Sequence, residues 1–100
     1  MTDPLTRLDT TVAHSARTWN YLLGGKDNFS VDRDAAERIL SFMPEIVQAA
    51  RASREFLGRV VRFLAAEAGV RQFLDIGTGL PTANNTHEVA QATAPDCRIV

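Results

Sequence analysis

The residues richest in chemistry lie close together: a carboxylate at Asp75, then Gly77 and Gly79, in the string Phe73-Leu74-Asp75-Ile76-Gly77-Thr78-Gly79-Leu80-Pro81-Thr82. An acid ahead of paired glycines, at the end of an apolar run, suits the grip of a small-molecule ligand. The backbone must reverse where strand gives way to helix, and glycine alone takes positive φ or admits a close ligand without steric cost. The amides that open the following helix favour a carboxylate nearby.

The residues after the glycines narrow the choice of ligand. A dinucleotide fingerprint, Gly-x-Gly-x-x-Gly, needs a third glycine where this chain has Thr82. A phosphate-cradling Gly-x-x-x-x-Gly-Lys-Ser/Thr string occurs nowhere in the chain. The remaining pattern, Asp-x-Gly-x-Gly at the end of a first strand, resembles motif I of class I S-adenosylmethionine-dependent methyltransferases. That cofactor carries no phosphate; it presents a zwitterionic methionine end and a sulfonium. Asp75 and the amides around Thr78 and Gly79 suit the methionine end.

A second string points the same way. Ser15-Ala16-Arg17-Thr18-Trp19-Asn20-Tyr21-Leu22-Leu23-Gly24-Gly25-Lys26-Asp27-Asn28-Phe29, followed by Asp32-Arg33 and Ala36-Glu37-Arg38, resembles the N-terminal signature of one methyltransferase family. That S-adenosylmethionine-dependent family is found mainly in actinobacteria and was long catalogued as a domain of unknown function. Residues 73–88, which carry motif I and its extension Ala83-Asn84-Asn85-Thr86-His87-Glu88, resemble the same family, and the likeness runs from about Arg7 to Val100.

The resemblance implies an α/β, Rossmann-like class I methyltransferase fold, S-adenosyl-L-methionine as cofactor and a small-molecule or otherwise unidentified methyl acceptor. Asp75, Gly77, Thr78, Gly79, Leu80 and Asn84 are the candidate cofactor-binding residues of the motif and its extension. Tyr21, Lys26, Asp27 and Asn28, beside the Gly24-Gly25 turn, are candidates for a lid or wall over the cofactor. On the other reading of that segment, Trp19, Tyr21 and Phe29 are packing residues and Lys26 and Asp27 are turn polars. Two rivals stand beside the methyltransferase: a Rossmann-type NAD-binding oxidoreductase, and a non-catalytic helical interaction module that keeps a cofactor-like turn.

Several elements must position these residues. Ala13, Ala16, Trp19, Tyr21, Leu22 and Leu23 form a helical stripe stopped at Gly24-Gly25, after an unpatterned arm of about a dozen residues. A second helix opens near Asp32, with Ala36, Ile39, Leu40 and Met43 facing inward and Asp34 and Glu37 near its positive end. Pro44 suits the first turn of a third helix, where its missing N–H has no intrahelical partner.

That third helix is long and amphipathic through Ile46, Val47, Ala50, Leu57, Val60, Val61, Leu64 and Ala68. Arg51, Arg54, Arg59 and Arg62 read as its solvated side. Gly58, at a cost of ~1 kcal/mol against alanine, marks a close helix contact.

Residues 70–76 form a first strand, with Phe73, Leu74 and Ile76 as the apolar run of a strand covered on both faces. Asn85 and Glu88 make a capping-box-like start to a short helix through Val89, Ala90 and Ala92, which Pro95-Asp96 ends. Cys97-Arg98-Ile99-Val100 starts a parallel second strand. The chain thus divides at residue 69 into an N-terminal helical cap (1–69) and the start of a Rossmann-like cofactor-binding domain (70–100), truncated before the acid that would hold the cofactor's ribose. On this reading the chain is an N-terminal fragment, inactive and not stably folded alone, because a strand edge and apolar helix faces stay uncovered.

Composition sets outer bounds. Hydrophobic residues at 45% and charged ones at 23% are those of a packed domain and too apolar for disorder. A net charge of −1 lacks the concentrated Lys and Arg of a nucleic-acid footprint. No apolar run approaches the ~20 residues of a membrane span, and Met1-Thr2-Asp3-Pro4 does not open a signal peptide, so the cytoplasm is the expected compartment. The single cysteine, Cys97, permits no internal disulfide and reads as a buried, inert thiol. His14 reads as a surface or capping residue and His87 as structural. With two histidines and no paired-cysteine or His-Glu-x-x-His spacing, no metal site is expected. No residue is assigned as catalytic.

Overall fold

A computed structural model describes residues 8–100. The part of the expected N-terminal arm that falls on residues 1–7 lies outside the described residues; Leu8 to Val12 are exposed. Three helices, α1 (Ser15–Leu22), α2 (Ser30–Phe42) and α3 (Ile46–Ala66), precede a short strand β1 (Gln72–Phe73), a helix α4 (Thr86–Thr93) and a strand β2 (Arg98–Ile99).

The start of α1 is capped by His14, whose ring Nδ1 accepts the Ala16 amide at 3.1 Å. Helix α1 buries Thr18, Asn20 and Leu22 and packs against α2. Leu22 is buried as the apolar stripe anticipated, but the face is rotated so that Trp19 stays partly open. A polar residue explains the rotation. Asn20 is buried because its Oδ1 accepts from the Asp27 amide at 3.0 Å and the Asn28 Nδ2 at 2.9 Å, tying helix to turn. A Cβ at Gly25 would collide with the Asn20 side chain, so this glycine makes room rather than a turn.

Asp32 joins the beginnings of α1 and α2. Fully buried, it accepts from the His14 and Phe29 amides, both at 2.9 Å, and pairs with the Arg17 Nε at 2.9 Å. Burial by itself would raise its carboxyl, but the two amides and the Arg17 guanidinium outweigh that and hold it below the ordinary 3.8. Pro44 lies in the turn before α3 rather than in its first helical turn, and α3 opens at Ile46 after Glu45.

The core lies where α3, α4 and the sheet meet: Val61, Ala65, Val89, Ala90, Ala94 and Cys97, with Leu57, Phe73 and Ile99 against them. Cys97 is buried there, just ahead of β2. The strands are parallel, with Gln72 opposite Arg98 and Phe73 opposite Ile99. Bonds from the Val100 amide to the Phe73 carbonyl (3.0 Å) and from the Asp75 amide to the Val100 carbonyl (2.8 Å) carry the pairing up to Asp75.

The anticipated strand of residues 70–76 is therefore short. Alternation along it sends Phe73 to the core and leaves Leu74 73% and Ile76 78% exposed. An apolar run needs cover on both faces, and the described residues cover one. Gly58 is buried, but the nearest atoms to a Cβ there belong to Asn84, at 3.7 Å, so its close neighbour is a loop and not a helix.

Candidate functional site

The loop from Asp75 to Asn85 is built around two left-handed glycines. Gly77 has φ +72° and Gly79 +89°, and a Cβ on either would meet nothing within 4 Å. These positions therefore need glycine for backbone conformation, and the space beside them is open. Asn84, at φ +57°, is a residue type that tolerates this region.

Between the glycines, the Thr78 hydroxyl donates to the Asp75 Oδ1 at 2.6 Å. This bond turns the half-buried carboxylate along the loop.

Arg54, in the middle of α3, holds both ends of this loop. Its Nη1 donates to the Thr78 carbonyl (3.1 Å), its Nε to the Ala83 carbonyl (3.1 Å) and its Nη2 to the Asn85 Oδ1 (2.8 Å). Arg51, Arg59 and Arg62 are exposed, as a solvated helix side should be, but Arg54 is not part of that side. The sequence does carry the signal. Arg54 stands four residues after Ala50 and three and four before Leu57 and Gly58, which puts it on the buried stripe.

Asn85 is the second brace. Its Oδ1 also accepts the Thr82 amide (2.9 Å), and its Nδ2 donates to the Thr82 carbonyl (2.8 Å) and to the Glu88 Oε1. The expected capping box is thus replaced. Asn85 precedes α4, but its side chain turns back into the loop instead of capping the helix amides. A guanidinium fork and a peptide-like amide satisfy the irregular backbone better than water would.

The loop faces α1 across a cleft. One cavity of about 310 Å³ lies between Ser15, Ala16 and Trp19 on α1 and Gly77 to Gly79. An adjoining one of about 380 Å³ lies between Trp19, Gly77 and Thr78 and the α3 residues Ser53, Arg54 and Leu57. Leu80 borders a third cavity, together with Lys26, Asp27 and Asn28. The structure therefore brings Asp75, Gly77, Thr78, Gly79, Leu80 and Asn84 onto one loop and sets Lys26, Asp27 and Asn28 beyond Leu80.

Tyr21 points elsewhere: its hydroxyl donates to the Glu37 Oε1 on α2 at 2.7 Å. That bond, the Glu37 charge and some burial raise the phenol above its ordinary 10.0, against a smaller opposing pull from Arg33. Tyr21 is thus a protonated donor at neutral pH rather than a base. Among the described residues, no group of three or more His, Cys, Asp and Glu stands together to hold a metal ion, and no helix is long and apolar enough to cross a membrane.

The family model described as S-adenosyl methyltransferase matches residues 1–100. The chain belongs to this family. A solved DUF574-family protein from Streptomyces avermitilis MA-4680 is 48% identical, with a TM-score of 0.89 over 93% of this chain and 36% of its own. A protein from Thermobifida fusca YX, provisionally named a methyltransferase, is also 48% identical, with a TM-score of 0.90 over 99% of this chain and 37% of its own. The chain thus spans little more than a third of the length of these two family structures. No curated protein matches it.

The helices and the small parallel sheet are those of part of a methyltransferase fold. The family's name makes S-adenosylmethionine the cofactor to test against the site. The glycine loop fits that molecule. It offers open space beside Gly77 and Gly79 for a ligand's approach, and Asp75 for an ammonium group.

Proposed function

We propose that this chain forms the cofactor-binding end of an S-adenosylmethionine-dependent methyltransferase acting on a small-molecule acceptor. Its fold is the opening of a Rossmann-like class I domain. The helices up to residue 69 serve as a cap, and residues 70–100 carry the first β-α-β unit. The observation that carries the reading is the Gly77–Gly79 loop, left-handed at both glycines and open beside both, with Asp75 held by Thr78.

In this reading Asp75 takes the ammonium of the cofactor's methionine end, and the backbone from Gly77 through Leu80 lies against that end. Asn84, through its left-handed backbone, shapes the return of the loop. Lys26, Asp27 and Asn28 wall the site beyond Leu80, and Tyr21 steadies that wall by tying α1 to α2. When bound, S-adenosylmethionine would supply an electrophilic methyl carbon on a sulfonium, for in-line transfer to an acceptor lone pair with a neutral thioether as the leaving group.

The protein's part is alignment of the methyl group and the acceptor in the cleft. Trp19 supplies an apolar side to that cleft, and Arg54 keeps the loop from collapsing into it.

Calorimetric titration of the full-length protein with S-adenosylmethionine, S-adenosylhomocysteine and NAD in parallel tests the reading. The expected result is binding of the first two. Preference for NAD would make the protein an oxidoreductase, and no binding of any of them would leave an interaction module.

A further inference from the structure

Beyond the cleft over the glycines lies a roomier cavity than either space there, about 520 Å³, within the ordinary range for a small-molecule site. Its walls include Leu8, Ala16, Phe29 and Leu80, all apolar. It adjoins the cofactor cleft, because Ala16 lines both spaces and Leu80 directly follows Gly79 of the loop. We infer that this cavity seats the methyl acceptor, and that the acceptor is a ring compound bearing a carboxylate or carbonyl oxygen. The inference rests on the methyltransferase reading and adds to it the class of substrate.

The polar groups around the cavity choose that class. Arg17 has little left to offer a ligand: its Nε pairs with Asp32, its Nη2 donates to the Asp9 and Val12 carbonyls, and its guanidinium lies 5.2 Å from the Phe29 ring. Asn28 donates to Asn20 and Gly25 and accepts from Arg33, so its amide is also engaged.

His14 is different. Its Nδ1 lone pair receives the Ala16 amide, which leaves the ring proton on Nε2. The free edge of His14 therefore presents a hydrogen-bond donor. Lys26, 92% exposed at the mouth, is a second donor, held only by a 3.4 Å contact with Asp27. The Asp27 carboxylate on the same lining faces Lys26 at 3.4 Å, so the donors beside the apolar slot select an apolar body with an acceptor oxygen over a cationic one.

The test uses the full-length protein saturated with S-adenosylhomocysteine, and benzoate, benzamide and benzamidine as probes followed by NMR. Benzoate and benzamide should shift the His14 ring and Leu80 methyl signals without displacing the cofactor product, and benzamidine should not. Two variants separate the pocket from the fold. His14→Ser keeps a side-chain oxygen to cap α1 but is too short to carry a donor into the cavity. Leu8→Trp fills the slot from an exposed position. Each should weaken benzoate by about tenfold or more at an unchanged Tm.

Benzoate that competes with S-adenosylhomocysteine would make the cavity part of the cofactor site and overturn this inference while leaving the methyltransferase reading intact. Absence of benzoate binding, equal binding of benzamidine, or wild-type benzoate affinity in both variants would overturn it as well. Benzoate binding without any S-adenosylhomocysteine binding would instead remove the reading on which the acceptor assignment depends.

Discussion

Arg54 and Thr78 meet across 24 residues of sequence: the guanidinium Nη1 on α3 donates to the carbonyl between the two loop glycines at 3.1 Å. The same side chain reaches Ala83 and Asn85, so one residue spans the loop from its glycine turn to the residue before α4. A loop with two left-handed glycines has little stiffness of its own, and a rigid helix supplies it.

Arg54→Lys should therefore loosen the loop although the charge is kept, because an ammonium cannot reproduce a planar fork with three separate acceptors. Hydrogen bonds to charged groups contribute ~1.5–3 kcal/mol each. Loss of part of the fork should weaken S-adenosylhomocysteine by at least about tenfold, with a modest fall in Tm. Calorimetry and thermal melting on the same preparation check it, and unchanged affinity would reduce Arg54 to a packing residue.

Gly77→Val should abolish cofactor binding and leave the fold in place. At φ +72° a β-branched residue is strained by at least ~1–2 kcal/mol, yet its Cβ would meet no protein atom within 4 Å and would stand in the ligand's approach. A melt only a few degrees lower, with no measurable binding, is the expected pair of results.

Asp75→Ala should weaken the cofactor by ~1.5–3 kcal/mol, the loss of a charge-assisted hydrogen bond to its ammonium. Thr78→Val should weaken it less, because Thr78 acts through Asp75. A double-mutant cycle should show coupling of ~0.5–3 kcal/mol between the two, and additive effects would separate them.

Asp32 makes a prediction about acid. Its carboxyl is lowered in the folded protein relative to 3.8, so the stability it adds is present above the unfolded value and is lost as pH falls through the folded one. Asp32→Asn should flatten the decline of Tm below about pH 4. At neutral pH it should cost about 3 kcal/mol, because Arg17 is left without its partner. Tm measured against pH in both proteins checks the sign and the size.

Tyr21→Phe separates two roles for the segment before Asn28. If the hydroxyl only ties α1 to α2 through Glu37, removing it should leave both Tm and turnover near wild type. That is the expected result, because the hydroxyl faces α2; a raised KM for S-adenosylmethionine at the same Tm would instead give Tyr21 a part in closing the cofactor site.

Much of this was legible in residue order because the forces involved are local. Glycines two apart after an acid must make a turn; an apolar stripe at helical spacing must bury a face; a strand, helix and strand in sequence must close a parallel pair. The β1–α4–β2 unit and the α3 stripe follow from such rules.

The misses were where a polar group found a distant partner. Asn20 turns α1 about its axis by bonding Asp27 and Asn28, so Trp19 faces the cleft. Asn85 leaves its helix to hold the loop. Leu74 and Ile76 stay exposed, because cover for a strand must come from elements on both sides.

By itself, then, the sequence determined where the loop must bend and that a carboxylate stands before it, since glycine's freedom and the spacing of three residues need no tertiary information. Only the tertiary structure decided what steadies that bend and what it faces. Hydrogen bonds from Arg54 and the proximity of His14 to Leu80 depend on the docking of helices, and docking depends on the whole set of buried contacts at once.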